Sequence, residues 1–313
     1  MSIDVLLIGD FPDATKRALT QRFNVHHFDT MEATLSGLTD VDAGRIRAIG
    51  TEVNQGAPAA LFSRLPKLEV ICCFGVGLDR VDLGVAKARN IPVTNTPGIV
   101  SEEVADFTIG LLLASARQIV LGDKFVREGR WLRESIGRGR SLRGKTLGIV
   151  GLGGIGRAVA DRAIPFRMNI YYQGPRKKAD APFTYVADLF ELARISDFFV
   201  VACKGSEETI NLVSPEIISE LRPTATLINV SRGNVVNERA LVEALVTGRL
   251  GYAALDVFER EPEVPSELLA LPNVILQPHQ AHAAIETRLL VGEAMTANLF
   301  AWFEGAPLPG RVA

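Results

Sequence analysis

Cysteine and histidine are scarce in this chain, whose 313 residues include three cysteines and four histidines. Cys72 and Cys73 are adjacent and Cys203 stands alone, all within apolar runs. An odd number at these spacings indicates neither a disulfide framework nor a zinc site. It favours a reducing compartment, so we expect a cytoplasmic protein.

Excess charge of one sign and long apolar runs are also missing. A net charge of −2 predicts no attraction to nucleic acid or to an anionic membrane. The first residues, MSIDVLLIGD, carry an acidic residue where a secretory signal carries basic ones, and their apolar run is too short. The longest apolar stretch, FTIGLLLASARQIVL, contains Arg117 and falls short of the roughly 20 residues of a membrane span. It predicts a buried helix.

Short apolar strands alternate with helical patterns along most of the chain, in two series. The predicted strands are DVLLIG, RIRAIG, LEVICCFG and IPVTNT in the first series, and TLGIVG, MNIYYQ, DFFVVAC, TATLINV, YAALDVF and VILQP in the second. A long helix after Ser101 separates them. Such βαβ alternation predicts an α/β protein with two doubly wound parallel sheets, one in each of two domains.

The segment Gly122–Lys145 is rich in glycine and arginine, with eight basic and three acidic residues. It contains no nucleic-acid-binding motif, so we expect no nucleic-acid partner. Two interpretations remain, a solvated connection and a protruding arm for self-association. Trp131 favours the arm, because a tryptophan is costly to leave in water.

The stretch LGIVGLGGIGRAVA has the G-x-G-x-x-G spacing of a dinucleotide-binding loop, formed by Gly151, Gly153 and Gly156. It follows a predicted strand and opens a predicted helix, which is the context that the motif requires. The first glycine allows the tight turn, the second lets the backbone approach a pyrophosphate, and the third lets the helix pack on the strand.

The end of the next strand bears on the choice between NAD and NADP. An acidic residue there would bind the ribose hydroxyls of NAD, but this chain has Gln173, followed by Arg176, Lys177 and Lys178. An arginine and a lysine can pair with a 2′-phosphate. An exposed basic turn without a ligand is the alternative, and we predict NADPH in preference to NADH.

Three side chains follow strands of the second series and should therefore meet at one edge of its sheet. Arg232 follows TATLINV, Glu261 follows YAALDVF, and His279 follows VILQ. Taken alone, Arg232 could be a surface charge, Glu261 a solvated loop residue and His279 a hydrogen-bonded packing residue. Together, beside a dinucleotide loop, they suit the reduction of a ketone that neighbours a carboxylate, with histidine donating the proton, glutamate supporting it and arginine gripping the substrate.

The remaining histidines have competing interpretations. His279 and His282 could form a metal pair, but no further ligand stands at a suitable spacing, and we predict no metal. His26 and His27 lie on a predicted strand of the first series, where we expect structural roles.

These motifs together resemble the D-isomer-specific 2-hydroxyacid dehydrogenases. The resemblance rests on VGLGGIG, INVSRG, LDVFEREP and PH, and on CFGVGLDRVDL and VTNTPGIVSEEVADFTIGLLLA earlier in the chain. LPKLEV, VTNTP, DVFEREPEVP and ETR are most similar to the glyoxylate/hydroxypyruvate and hydroxyphenylpyruvate reductases, a branch that generally prefers NADPH.

The resemblance implies roles for individual residues. Arg232, Glu261 and His279 would be catalytic, with His279 as the acid/base. Substrate would be bound by Val53, Val76, Gly77, Arg232 and Arg288, although a helix-surface charge is an equal alternative for Arg288. The cofactor set would be Gly151, Gly153, Gly154, Ile155, Gly156, Arg176, Lys177, Cys203, Thr209, Val230, Ser231, Asp256 and Ala281, with Asp256 holding the nicotinamide carboxamide.

The resemblance also implies the organisation of the chain. Residues 1–97 and 285–313 would form a flavodoxin-like substrate domain, interrupted by a Rossmann cofactor domain at 98–284, with the active site in a cleft that can close. A dimerisation arm at about 118–145 would contain Trp131. The final helix is expected at about Ala284–Phe303.

One departure from the family concerns the residues after His279, which are usually small and are QAHAA here. The bulk of Gln280 and His282 leaves the substrate range open. Two other functions also stay open: an NAD(P)-sensing regulator on the same scaffold, and an NAD-linked dehydrogenase of the phosphoglycerate type.

Overall fold

A computed structural model describes residues 2–312 and divides the chain into two compact units. Unit 1 runs to Val100 and resumes at Ala283, and unit 2 is Ser101–His282. The sequence places these two junctions at 97/98 and 284/285. The first junction lies at Ser101 because the helix that begins there is tied to unit 2: Glu102 forms an ion pair with Arg162 at 2.8 Å.

Unit 1 contains one sheet of five strands, all parallel. The strands are β1 (Ile3–Ile8), β2 (Phe23–Phe28), β3 (Ile46–Glu52), β4 (Val70–Phe74) and β5 (Val93–Thr94). The helices between them are α1 (Asp13–Thr20), α2 (Met31–Gly37), α3 (Asp40–Ala43), α4 (Ala59–Arg64) and α5 (Leu83–Ala88). The strand order β2-β1-β3-β4-β5 is flavodoxin-like, with the switch point between β1 and β3.

Unit 2 contains one sheet of seven parallel strands. They are β6 (Thr146–Val150), β7 (Asn169–Gln173), β8 (Thr184–Tyr185), β9 (Phe198–Val201), β10 (Thr226–Asn229), β11 (Tyr252–Leu255) and β12 (Val274–Leu276). The helices are α6 (Ser101–Ala116), α7 (Ile119–Arg127), α8 (Gly154–Ala163), α9 (Leu189–Ile195), α10 (Pro215–Glu220), α11 (Glu238–Val246) and α12 (Ser266–Leu269).

The order β12-β11-β10-β9-β6-β7-β8 is a Rossmann sheet with a seventh strand, and its switch point lies between β6 and β9. The central strands are mostly apolar and almost entirely buried, as is expected of parallel strands covered by helices on both faces. The predicted fold class is therefore confirmed in both sheets.

The final helix, α13 (Ile285–Glu304), belongs to unit 1 and begins and ends one residue later than predicted. Its Gly292 packs so closely on α1 that a Cβ there would lie 2.0 Å from the Thr15 Oγ1. Near its end, the Trp302 Nε1 donates to the Glu69 Oε2 at 3.2 Å.

The segment Gly122–Lys145, for which the sequence left a solvated connection and a protruding arm as interpretations, begins inside a helix. α7 continues to Arg127, a short 3-10 turn covers Arg130–Leu132, and residues 133–145 contain neither helix nor strand. The helix persists because Phe125 is buried on one face and Asp123 pairs with Arg127 one turn later at 2.8 Å. The glycine- and arginine-rich composition hid this amphipathic turn.

Among residues 2–312, no single helix is long and apolar enough to span a membrane. α6 and α7 reach the required length only as a pair, across a bend of 59°.

Candidate functional site

The glycine loop between β6 and α8 has the geometry that a dinucleotide turn requires. Gly151 has a φ of +91°, and a Cβ there would lie 2.5 Å from the Cα of Cys203. A Cβ on Gly156 would lie 2.0 Å from the carbonyl oxygen of Gly151. Both positions therefore need glycine for the turn itself.

Gly153 is different, because a Cβ there would have no atom within 4 Å. The space beside it is open, and Gly153 caps α8, whose ten residues begin at Gly154. The amides of Gly154, Ile155 and Gly156 lie in the first turn, where a helix has no internal acceptors for its N–H groups. Open space in front of free amides fits a bound pyrophosphate.

The basic turn after β7 is fixed at its base and exposed at its tip. The Tyr172 hydroxyl accepts from the Lys178 amide at 2.8 Å, and the Tyr185 hydroxyl donates to the Gly174 carbonyl at 3.1 Å. Arg176 and Lys177 are exposed at the tip. Within residues 2–312, the structure shows no ion pair for either, so both charges are available to an anion.

Two further members of the predicted cofactor set follow β9. Cys203 lies directly against Gly151, and burial raises the pKa of its thiol to about 11, so it stays protonated and apolar in character. Thr209 belongs to a short capped turn: its Oγ1 accepts from the Ser206 amide at 2.8 Å and lies 3.0 Å from the Lys204 carbonyl. Its side chain shapes this loop.

Asn229, which the sequence interpretation missed, organises the loop that carries Val230, Ser231 and Arg232. It ends β10 and is 1% exposed. Its Oδ1 accepts from the amide and the hydroxyl of Ser231 at 3.0 and 2.9 Å, and its Nδ2 donates to the Arg232 carbonyl at 2.9 Å. A polar residue closing an otherwise apolar strand, TATLINV, was the available signal.

Asp256, which follows β11, holds the segment that begins with His279. The residue is 1% exposed, its backbone carbonyl accepts from the His279 amide at 2.8 Å, and its carboxylate accepts from the amides of Gln280 and Ala281 at 2.9 and 3.1 Å. Burial outweighs these hydrogen bonds and raises the pKa of Asp256 above its ordinary value. The sequence assigned Asp256 to the carboxamide only, and its grip on this segment is an additional finding.

Glu261 and His279 are in direct contact. The Glu261 Oε2 lies 2.8 Å from the His279 Nδ1, and its Oε1 accepts from the Phe258 amide at 3.1 Å. Burial alone would raise the pKa of Glu261, but the hydrogen bond and charge of His279, the Phe258 amide and the charge of Arg232 outweigh it and lower that pKa. The carboxyl is therefore ionised at neutral pH.

His279 has a φ of 54°, in the left-handed region that few residues other than glycine adopt. The hydrogen bonds that the amides of this segment donate to Asp256 offset that cost. The histidine side chain is 26% exposed. The ring of His282 packs edge-on against it, with centroids 5.9 Å apart and planes at 83°. Gln280 instead turns to the exposed side, where its Nε2 lies 2.5 Å from the Gln277 Oε1.

In unit 1, the loop Gly75-Val76-Gly77 follows β4. The Gly75 carbonyl accepts from the Thr96 amide at 3.0 Å, and the Val76 carbonyl accepts from the Asn95 Nδ2 at 2.9 Å. Because N–H and C=O point in opposite directions across a trans peptide, the amides of Val76 and Gly77 point away from these partners. Val76 is exposed, so this pair of amides can face an anion.

Arg288, on α13, is hydrogen-bonded within unit 1 and is not a solvated charge on the helix surface. Its Nη1 donates to the Glu52 Oε1 at 3.1 Å, and its Nη2 donates to the Asp10 carbonyl at 2.6 Å. Glu52 and Asp10 were not singled out from the sequence, since neither lies in a recognisable motif. Val53, the next residue after Glu52, is half-buried at the end of β3.

The structure gives the histidines outside unit 2 ordinary partners. The His26 Nε2 lies 2.7 Å from the Asp4 Oδ1, and the His27 Nε2 lies 2.8 Å from the Gly9 carbonyl. Across residues 2–312, no three His, Cys, Asp or Glu side chains come together as a group that could hold a metal ion.

Within unit 2, the predicted residues thus gather at the carboxyl edge of the Rossmann sheet. Glu261 and His279 touch, Arg232 is close enough to lower the pKa of Glu261, and Cys203 lies against Gly151. In unit 1, Val53, Val76 and Gly77 follow β3 and β4, and Arg288 reaches the same edge from α13.

Comparisons with known proteins bear on what this arrangement does. The family model described as D-isomer specific 2-hydroxyacid dehydrogenase, NAD binding domain, matches residues 109–281. The chain is 43% identical to hydroxyphenylpyruvate reductase of Plectranthus scutellarioides, and 41% identical to glyoxylate/hydroxypyruvate reductase A of Arabidopsis thaliana, over 98% of each chain in both cases.

A solved structure gives the same result. The fold superposes with a TM-score of 0.93 on an NADPH-dependent glyoxylate/hydroxypyruvate reductase from Sinorhizobium meliloti in complex with NADP and malonate. That protein is 38% identical, and the match covers 100% of this chain and 97% of that one. The resemblance seen in the motifs is thereby confirmed over both units, and the chain belongs to the D-isomer specific 2-hydroxyacid dehydrogenase family.

Proposed function

We propose that the protein reduces a small 2-ketoacid, such as glyoxylate, hydroxypyruvate or an aryl pyruvate, to the D-2-hydroxy acid with NADPH. The observation that carries this proposal is the 2.8 Å contact between His279 and Glu261 at the carboxyl edge of a Rossmann sheet. The names of the relatives and the NADP-bound structure support the reaction class.

His279 is the proton donor in this proposal. Because its Nδ1 is bound to Glu261, Nε2 is the ring nitrogen that faces the substrate. The ionised Glu261 fixes the ring orientation and stabilises the imidazolium, which then protonates the ketone oxygen as negative charge develops there. When bound, the dihydronicotinamide supplies the hydride.

Arg232 supplies positive charge to the same reaction. Its loop is fixed by Asn229, and its Nη1 donates to the Ser231 carbonyl at 2.8 Å, which orients the guanidinium plane. A guanidinium can grip the substrate carboxylate in two parallel hydrogen bonds and polarise the ketone. In unit 1, the amides of Val76 and Gly77 are proposed donors to a substrate carboxylate.

A panel assay tests the proposed function. Oxidation of NADPH should be measured with glyoxylate, hydroxypyruvate, phenylpyruvate and hydroxyphenylpyruvate, and we expect turnover on at least one. Binding of NADPH without turnover on any of them would favour the NAD(P)-sensing regulator. Turnover restricted to NAD and phosphoglycerate would favour the third alternative.

NADPH is the proposed cofactor because the turn after β7 offers positive charge to a 2′-phosphate, and Gln173 stands at the strand end where a carboxylate would repel it. We predict that Arg176→Ala weakens NADPH binding about 10–100-fold, since a hydrogen bond to a charged group contributes about 1.5–3 kcal/mol. NADH binding should change less than about threefold, because NADH lacks the phosphate. Fluorescence titration of both cofactors checks this.

Arg194→Ala is a matched control, since Arg194 is an arginine of unit 2 that pairs with Glu220 instead. It should change neither affinity. Equal losses of NADPH and NADH in Arg176→Ala would show that the basic turn does not recognise the phosphate.

We also propose a homodimer formed through the arm. α7 and the following turn expose several apolar side chains: Ile119, Val120, Val126, Trp131 and Leu132. Trp131 and Leu132 are 71% and 87% exposed, so burial against a second copy would remove a large apolar area from water. Sedimentation should give a dimer for the wild type and a monomer for Trp131→Ser with Leu132→Ser; a wild-type monomer would refute the proposal.

A further inference from the structure

We propose that Glu52 and Arg288 are positioning residues, which orient the carboxylate-binding loop Gly75-Val76-Gly77 through Val53. This inference rests on the proposed ketoacid reduction and concerns residues of unit 1 alone. Neither side chain would touch the substrate.

The pair ties three segments together at the switch point of the unit 1 sheet. Glu52, at the end of β3, accepts from Arg288 on α13 with one oxygen and from the Asp10 amide, after β1, with the other, both at 3.1 Å. Arg288 completes the ring by donating to the Asp10 carbonyl. The Glu52 and Arg288 side chains are only 12% and 21% exposed.

The stability of the fold alone does not explain a buried ion pair between Glu52 and Arg288. Removing two charges from water costs more than their attraction commonly returns, and apolar replacements are often neutral or stabilising. Burial is the largest influence on the Glu52 carboxyl and raises its pKa above the ordinary value. The chain also keeps glycine at position 9, where a Cβ would lie 2.8 Å from the Glu52 Cγ.

Val53 carries the effect of the pair to the loop. It is covalently next to Glu52, and its Cγ1 lies 2.7 Å from the place where a Cβ of Gly75 would be. Gly75 has a φ of +126° and accepts the Thr96 amide, so its conformation is held from both sides. The peptide between Gly75 and Val76 carries the amide of Val76, and a shift of the Val53 side chain would move this peptide.

Direct binding of substrate by Arg288 is the competing explanation. It would require the guanidinium to give up Glu52 and Asp10, which the observed hydrogen bonds oppose. The two explanations differ in what happens when Glu52 is removed. Under direct binding, loss of Glu52 frees Arg288 and improves binding of a carboxylate; under positioning, it harms binding as much as loss of Arg288 does.

The test is a double-mutant cycle with Glu52→Gln, Arg288→Met and both together. We expect KM for the preferred ketoacid to rise about tenfold in each single variant and by a similar factor in the double variant, within the range of coupled neighbours. The value of kcat should change less than about threefold, and NADPH affinity should stay constant. Arg288→Lys, which keeps the charge, should recover part of the loss in KM.

The control is Glu304→Gln, which removes another ion pair of α13, that with Arg22 at 2.6 Å, and should leave KM unchanged. A lower KM in Glu52→Gln overturns the proposal in favour of direct binding, and additive losses overturn it by showing that the two residues act independently. Lower melting temperatures with an unchanged KM overturn it in favour of a structural role. If the wild type itself reduces no ketoacid, the proposed function fails first, and this inference fails with it.

Discussion

Replacing His279 with alanine is expected to lower ketoacid reduction by about 10²–10⁴-fold, the usual contribution of one general acid. The imidazole is the group that Glu261 orients at 2.8 Å, and histidine is the side chain whose ordinary pKa suits proton donation near neutral pH. NADPH binding should stay close to that of the wild type. Steady-state kinetics and a fluorescence titration measure the two effects separately.

Glu261→Gln gives the companion result. Glutamine can accept a hydrogen bond but cannot neutralise an imidazolium, so we expect a loss in kcat smaller than that of His279→Ala in the same steady-state assay. A His279→Ala variant that keeps most of its turnover would show that the proton comes from elsewhere, and the roles assigned to both residues would be wrong.

The second large effect is expected in the glycine loop, where alanine at either of two glycines should weaken NADPH binding, but for different reasons. Gly153→Ala should fold normally, because its Cβ meets no atom within 4 Å, yet lose about 10–100-fold in NADPH affinity by blocking access to the first-turn amides of α8. Gly156→Ala should lose both stability and binding, since its Cβ would lie 2.0 Å from the Gly151 carbonyl oxygen.

Thermal unfolding without cofactor, followed by titration with NADPH, distinguishes the two variants. The midpoint of unfolding should fall in Gly156→Ala and stay unchanged in Gly153→Ala. Wild-type affinity in Gly153→Ala would mean that the pyrophosphate does not approach this turn.

The fold and the outline of the site could be predicted because they depend on local patterns. Parallel strands buried on both faces have uniformly apolar sequences, and a glycine loop between a strand and a helix has a fixed spacing. The strand ends then indicate which polar residues share an edge, which is how Arg232, Glu261 and His279 were chosen. Their partners were harder to find.

Side-chain hydrogen bonds between distant segments leave no such pattern. Arg288 lies on a helix where an exposed charge would give the same sequence, and its partner Glu52 is 236 positions away. In the arm, the glycine- and arginine-rich composition gave no indication of a helix, because the contacts that support α7 as far as Arg127 are one buried phenylalanine and one ion pair.

The hydrogen bonds that place His279 have a consequence for how this family member can change. The Asp256 amide donates to the Asn229 carbonyl, and the His279 amide donates to the Asp256 carbonyl, so neighbouring strand ends fix one another in series. The backbone of His279 is thus positioned by the sheet, and the part of the β11–β12 connection that lies beyond Glu261 can vary in length and sequence without displacing it. The outer surface of this region can therefore change in evolution while the position of His279 stays the same.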